Sequence, residues 1–334
     1  MSKVLTGNPV EAPPGPRRID KNAWYKVLGS RLLPYALLIA LVVYFTAKTD
    51  LFLTADNLNT ILRSSAVLAV IACASTLVIV AGSIDLSVGG VAALTGTIAV
   101  YLTTEGHPNG VWLALPIGLL CGLLNGFLVA YVKLPSFLTT LGVLFILNGL
   151  ALRITGGSSQ MLANPTLDGL INDSDVLGIP NIIWWAVIAF VIVSILAYRT
   201  PFGRHVYAIG GNERVARLSG LNVERTKLLL FSLSGLLAGV GGLMLIGQGS
   251  GSSPGMGDSF LLNAIAAVVM GGTALNGGSG GPSRTIVGVL VLGIVTNGMT
   301  LTHVDPNYQT VIFGVIVLLA VVVTVRRSET GVVK

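Results

Sequence analysis

Residues Ser65–Gly90 read SAVLAVIACASTLVIVAGSIDLSVGG. From Ser65 to Ala81 no charge interrupts a block of apolar and small residues, close to the ~20 residues a helix needs to cross a bilayer. A second apolar run begins at Leu86, and between the two stands one acid, Asp85, with almost no polar cover. The first run fixes the kind of protein this is, and the acid asks what it does there.

Runs of this kind recur along nearly the whole chain. Of 334 residues, 53% are hydrophobic and 10% charged, far from the roughly 25% charged residues of a soluble domain. The expected class is an all-α membrane protein, because a helix satisfies its own backbone hydrogen bonds in lipid. About ten spans can be placed: Leu32 to Ala47, Ser65 to Ala81, Leu86 to Leu102, Val111 to Val132 and Pro135 to Arg153. The other five are Ile182 to Tyr198, Leu228 to Gly247, Phe260 to Ala274, Thr285 to Leu301 and Gln309 to Val325.

With ten spans and both termini cytoplasmic, only Lys48, Arg63 and Arg153 of the 20 Lys and Arg residues fall outside, as the positive-inside rule requires. Eight of the 14 acids then lie on the outer side. The net charge of +6 therefore reflects topology, and no nucleic-acid partner is expected. Residues 1–31, polar and Pro-rich (EAPPGPRRIDKN at Glu11 to Asn22), are expected to be a disordered cytoplasmic tail. They lack a signal-peptide cleavage pattern, so the first span reads as an uncleaved anchor. Residues 32–325 form the membrane domain, with a basic loop at 199–227, and 326–334 a second cytoplasmic tail. The longest outer segment, Thr155 to Asn181, is too short for a domain.

Cys73 and Cys121 lie mid-span and suit small packing residues; the three His are scattered, and no metal or cofactor is expected. Gly118, Gly122 and Gly126, and Gly235 with Gly239, have the small-xxx-small spacing of closely packed helices, expected to meet within one chain. The polar residues inside spans are nearly all neutral: Asn125, Asn148, Ser232, Ser234 and Asn297. Because intramembrane charges cost several kcal/mol and persist for a use, this set suits a path for a neutral hydroxylated solute better than a proton relay.

The most structured polar segment is the loop Tyr198 to Lys227. Asn212 is a favoured N-cap, Glu213 complements a helix N-terminus, Arg217 lies near the other end and Gly220 is placed to end the helix left-handed. Val215, Leu218 and Leu221 give this two-turn helix an apolar side with nothing of its own to cover it, as a helix offered to another protein's groove would have.

The segment AIGGNERVARLSGLNVERTK at Ala208 to Lys227, followed by FSLSGLLAGVGG, resembles the cytoplasmic coupling loop and next span of ABC sugar-importer permeases of the ribose, xylose and arabinose type. IDLSVG at Ile84 to Gly89 and NAIAAVVMGGTALNGGSGG at Asn263 to Gly281 are similar to two further signatures of that family, and the resemblance runs from about Asp50 to Val325. Gly82 is followed by Ser83 where the family usually has two glycines, and Asn276 and Ser279 stand where it varies. The resemblance implies a multi-pass permease of the bacterial inner membrane, paired with a second copy or close relative. A separate ATPase would sit beneath it and a periplasmic or extracellular sugar-binding protein above. Gly210, Gly211, Asn212, Glu213, Val215, Ala216, Arg217, Leu218 and Gly220 would form the ATPase-coupling segment.

A separate ATPase also follows from the residues themselves, since no G-x-x-x-x-G-K-[ST] loop exists in the chain. The Gly-rich stretch Gly271 to Ser283 lacks the lysine and reads as a tight turn between helices. For Asp85 and Ser87 two compatible roles stand: capping the third helix, or lining a gate beside the path, with proton coupling as a third. Asn125, Asn148, Gly271, Gly272, Thr273 and Asn297 complete the candidate path or gate. The reading is a non-enzymatic permease subunit importing a monosaccharide or polyol, against a stand-alone secondary carrier or a branched-chain amino-acid permease.

Overall fold

The computed structural model describes residues 23–173, 177–309, 311–316 and 318, with side chains from 32 onward. Among the described residues the chain is mostly helical, with one short strand pair. In order come α1 (Ala23–Lys48), α2 (Ala55–Val80), α3 (Val88–Thr104), a 3-10 turn (Pro108–Leu113), α4 (Ala114–Ala130) and α5 (Ser136–Thr155). Strand β1 (Gln160–Met161) and α6 (Pro165–Asn172) follow, then α7 (Asn181–Arg199), α8 (Pro201–Gly211), α9 (Glu213–Leu218) and α10 (Val223–Gln248). The chain continues through β2 (Gly251–Ser252), α11 (Asp258–Met270) and α12 (Pro282–Leu301).

Among the described residues six helices are long and apolar enough to cross a membrane: α2, the 3-10 turn joined to α4, α5, α7, α10 and α12. Three shorter apolar helices accompany them, at Leu32–Lys48, Val88–Thr104 and Asp258–Met270. The expected tenth span is helical at 309, 311–316 and 318; the rest of it, like both termini, lies outside the described residues. Helix α1 begins at Ala23, within the stretch 1–31 expected as a tail, where the chain turns from the Pro-rich stretch to AWYKVL, free of Pro and Gly; its apolar part is Leu32–Lys48. The second span begins ten residues earlier than hydropathy places it, because Thr54 caps α2 by accepting from Asn57 N–H. The eighth ends at Met270, where the glycine-rich turn begins.

Helices α2 and α10 form the centre. The glycines of α10 explain how three helices reach it: a Cβ at Gly235 would lie 2.2 Å from Gly118 O on α4, one at Gly242 2.5 Å from Ala92 O on α3, and one at Gly241 2.8 Å from Ile71 Cγ1 on α2. Gly122 and Gly126 of α4 likewise face the backbone of Phe231 and Leu228. The small-residue stripes thus meet inside one chain, where close backbone approach replaces the side-chain packing lipid could otherwise supply.

The connections gather at two ends. At one, Arg63 donates to Asn172 Oδ1 at 3.0 Å, Asn172 donates to Gly247 O at 2.9 Å, and β1 pairs with β2. Asp50, Asp56, Glu105, Asp168, Asp173, Asp258 and Asp305 outnumber Lys48, Arg63 and Arg153 here. This is the acidic end, and the outer segment Thr155 to Asn181 carries β1 and α6 there. At the other, Gly278 N–H donates to Val80 O at 2.8 Å and Tyr207 O–H to Gly280 O at 2.9 Å. Lys133, Arg199, Arg204, Arg214, Arg217, Arg225, Lys227 and Arg284 make it the basic end.

Candidate functional site

Helix α2 stops at the basic end because Gly82, with φ +76°, takes the left-handed conformation that glycine adopts without strain. Its N–H donates to Ile79 O and that of Ser83 to Val78 O, the paired bonds that close a helix C-terminus. The chain then runs extended to Leu86, held by hydroxyls of α5: Ile84 N–H donates to Ser136 Oγ at 3.2 Å and Leu86 N–H to Thr140 Oγ1 at 3.0 Å. This places Asp85 at the centre of the bundle, 2% exposed.

Four side chains meet there. Asp85 Oδ1 accepts from Ser87 N–H at 2.9 Å and from Ser87 Oγ at 2.6 Å. Its Oδ2 accepts from Ser234 Oγ of α10 at 2.8 Å, and Asn125 of α4 donates to Ser87 Oγ at 2.7 Å. All are buried, and among the described residues no ion pair reaches the carboxylate. A buried acid costs free energy unless hydrogen-bonded; here the neutral donors of Ser87 and Ser234 do that work, and Asn125 supports Ser87. Ser87 is the N-cap of α3 but makes no side-chain bond to the helix: its oxygen accepts from Asn125 and its proton goes to Asp85, while Asp85 accepts from Ser87 N–H and not from a residue within the helix. Ser234, marked in the sequence only as a neutral polar residue within a span, joins the cluster through a contact that no local pattern encodes.

The other candidate path residues lie elsewhere. Asn148 donates to Asp258 Oδ1 at 2.9 Å, towards the acidic end. Asn297 pairs reciprocally with Asn57, at 2.8 and 3.1 Å, tying α12 to α2. Gly271, Gly272 and Thr273 start the turn between α11 and α12, where buried Thr273 accepts from Gly281 N–H at 3.1 Å. A Cβ on Gly271 would lie 2.1 Å from Arg284 O.

The loop at 199–227 is two helices and the first turn of α10. Helix α8 went unforeseen, though Thr200 before Pro201 is a legible start; Thr200 Oγ1 accepts from Gly203 N–H at 3.3 Å. Its last residues, Gly210 and Gly211, are not part of the short helix they precede. Gly210 instead packs on the end of α2, where a Cβ would sit 1.8 Å from Val80 O. Asn212 caps α9 by accepting from Val215 N–H at 3.0 Å, and Gly220, φ +84°, ends it, with Gly220 N–H on Arg217 O and Leu221 N–H on Ala216 O. Val215 and Leu218 are exposed, Leu218 at 80%. Leu221 does not share that face: with Ala216 it packs against Ile209 and Val223, because the left-handed turn at Gly220 folds it inward.

Four charges tie α9 to α10. Lys227 Nζ lies 2.7 Å from Glu213 Oε2, Arg217 lies 3.3 Å from Glu213 Oε1, and Arg217 also pairs with Glu224. For Glu213, partial burial pushes the carboxyl up, but Lys227 and Arg217 together hold it below its ordinary value. The Arg217 guanidinium does the same for Glu224. These charges line a cleft of about 440 Å³ whose facing walls are Gly82 and Ser83 of the Asp85 segment and the turn Lys133 to Ser136.

Residues 57–321 match the family described as branched-chain amino acid transport system / permease component. The chain belongs to this family of transport-system permeases. The ribose import permease protein of Escherichia coli strain K12 is 37% identical over 317 residues, covering 93% of this chain and 98% of that one. That of Bacillus subtilis strain 168 is 37% identical over 302 residues, covering 89% and 94%. The xylose transport system permease protein of E. coli K12 is 32% identical over 361 residues, covering 88% and 92%. No solved structure matches. For this permease, then, the Asp85 cluster is a polar focus inside a transport protein, and α9 an exposed apolar surface at its basic end.

Proposed function

We propose that the permease is the membrane-spanning subunit of an ATP-driven importer for a monosaccharide or related polyol. The carrying observation is similarity to ribose import permeases over nearly the full length of both chains. The chain holds no phosphate loop, so the ATPase is a separate subunit, and α9, with Val215 and Leu218 outward, is the surface it engages. The basic end faces the cytoplasm, as the distribution of Lys and Arg favours. With a tenth span after α12, both termini lie on that side of the bacterial inner membrane. A sugar-binding protein delivers the solute at the acidic end, and a second permease copy or close relative completes the pathway.

Alternating access arises as the ATPase pair closes and pushes on α9. The cluster of Asp85, Ser87, Asn125 and Ser234 lies along the gate at the basic end, where neutral donors and one carboxylate can meet sugar hydroxyls. The family's description favours a second reading, a branched-chain amino acid as solute. A zwitterion calls for a cation or free helix N-termini near the path, and the cluster has no cation.

Reconstitution decides. Liposomes containing the permease, its neighbouring ATPase and binding protein should take up labelled ribose or xylose only with ATP inside the ATPase compartment. Uptake of leucine in their place would establish the amino-acid reading. Uptake by the permease alone, driven by an ion gradient, would sink both and leave a secondary carrier.

A further inference from the structure

We infer that Lys227 is a positioning residue of transport coupling, handing movement of α9 to Asp85 through α10. The inference rests on the proposed meeting of α9 with an ATPase. Lys227 holds Glu213 at the start of α9, and its own side chain is 14% exposed, against 45% for Glu213. It is therefore the more enclosed partner, set on α10, while Glu213 stands on the short helix α9. Ser234, which holds Asp85 Oδ2, lies seven residues further along the same helix. That spacing is two turns, about 10 Å, on one helix face. One face of one rigid helix thus carries the link to α9 at its end and the link to the buried carboxylate further in.

Two features let such a movement matter. The seam between α10 and α4 is backbone against glycine, at Gly118, Gly122 and Gly126, so few long side chains interlock to resist sliding. Asn125 stands on α4 beside that seam and donates to Ser87, whereas Ser234 stands on α10. A shift of one helix along the other changes how Asp85 and Ser87 are held, because their donors belong to different helices. The cleft between the ion pairs and the Asp85 segment provides room for it.

The test uses Lys227→Gln and Lys227→Arg in the complete complex and in the permease alone. In the complex, Lys227→Gln should leave ATPase co-purification and hydrolysis intact while uptake per ATP falls about fivefold, the scale of a part-buried ion pair. Lys227→Arg should restore it. In the permease alone, a single reporter cysteine, Ser83→Cys with Cys73→Ala and Cys121→Ala, should react faster with a water-soluble maleimide when Lys227→Gln is added. Unchanged uptake per ATP, or unchanged labelling, would overturn the inference. Loss of the ATPase from the complex would also overturn it, by placing Lys227 in the docking surface. Should the wild type show no ATP-dependent uptake at all, the proposed function fails, and the labelling still judges the link from Lys227 to the Asp85 segment.

Discussion

Two polar groups of this permease are built on opposite terms. The Asp85 cluster is fully buried, joined by four hydrogen bonds of 2.6 to 2.9 Å from neutral donors, and has no countercharge. The α9–α10 network is all charge, with side chains of Glu213 and Arg217 nearly half exposed. In the interior a lost hydrogen-bond partner leaves a group that water cannot reach, so removal is costly. At the surface water takes over, and an ion pair adds well under 1 kcal/mol. The first arrangement therefore has one strongly preferred geometry, and the second can part and re-form. An importer of the proposed kind, with a gate to hold and a push to yield to, would have use for both.

That contrast can be broken most severely at Asp85. Asp85→Ala should lower stability by about 3 kcal/mol, because the N–H and hydroxyl of Ser87 lose their acceptor in a dry site. Asp85→Asn should cost about 1 kcal/mol, since the amide oxygen still accepts from Ser87 and the Ser234 hydroxyl can turn to accept from the amide nitrogen. Thermal unfolding in detergent separates the two, and equal losses would mean the hydrogen bonds are not what holds the segment. Uptake then decides the role of charge: full transport by Asp85→Asn leaves Asp85 a structural part alone.

A smaller effect is expected at the α9 surface, and of a different kind. Leu218→Asp puts a charge on an apolar contact and should weaken ATPase association by about 2 kcal/mol, some thirtyfold. Folded permease in the membrane should stay constant, because Leu218 touches nothing in its own chain that burial protects. Unaltered co-purification would move the docking surface elsewhere. The smallest effect is the pH response of the network. Glu213 and Glu224 are held below the ordinary carboxylate value of about 4.5, so their contribution is complete above that value and fades as pH falls through the depressed native values. Stability should thus drop more between pH 7 and 4 in the wild type than in Lys227→Gln, and equal drops would show the pairs to be idle.

Much of this was legible beforehand for physical reasons that act locally. Asn212 as a cap, Gly220 as a left-handed stop and the glycines of α4 all follow from the needs of a few neighbouring residues. Helix α8 is as legible, from Thr200 as a cap and Pro201 at the first helical position. Asn148 and Asn297 stand on the candidate path by chemistry alone, and the structure adds their hydrogen-bond partners, Asp258 and Asn57. An amide within a span announces that it needs a partner without saying which.

The sequence by itself determined that this chain is a bundle of membrane helices, where α9 is capped and stopped, and which end of the bundle is basic. Those properties depend on transfer of apolar residues from water and on backbone bonds a few residues apart. Only the tertiary structure decided that Ser234 holds Asp85 across 149 positions, that Leu221 turns inward while Leu218 stays out, and that Lys227 of α10 reaches Glu213 of α9. A buried hydrogen bond takes its partner from whichever helix packs alongside. In this bundle that choice was made by glycines that let the backbones of α3 and α4 and the Ile71 side chain of α2 approach α10 at once.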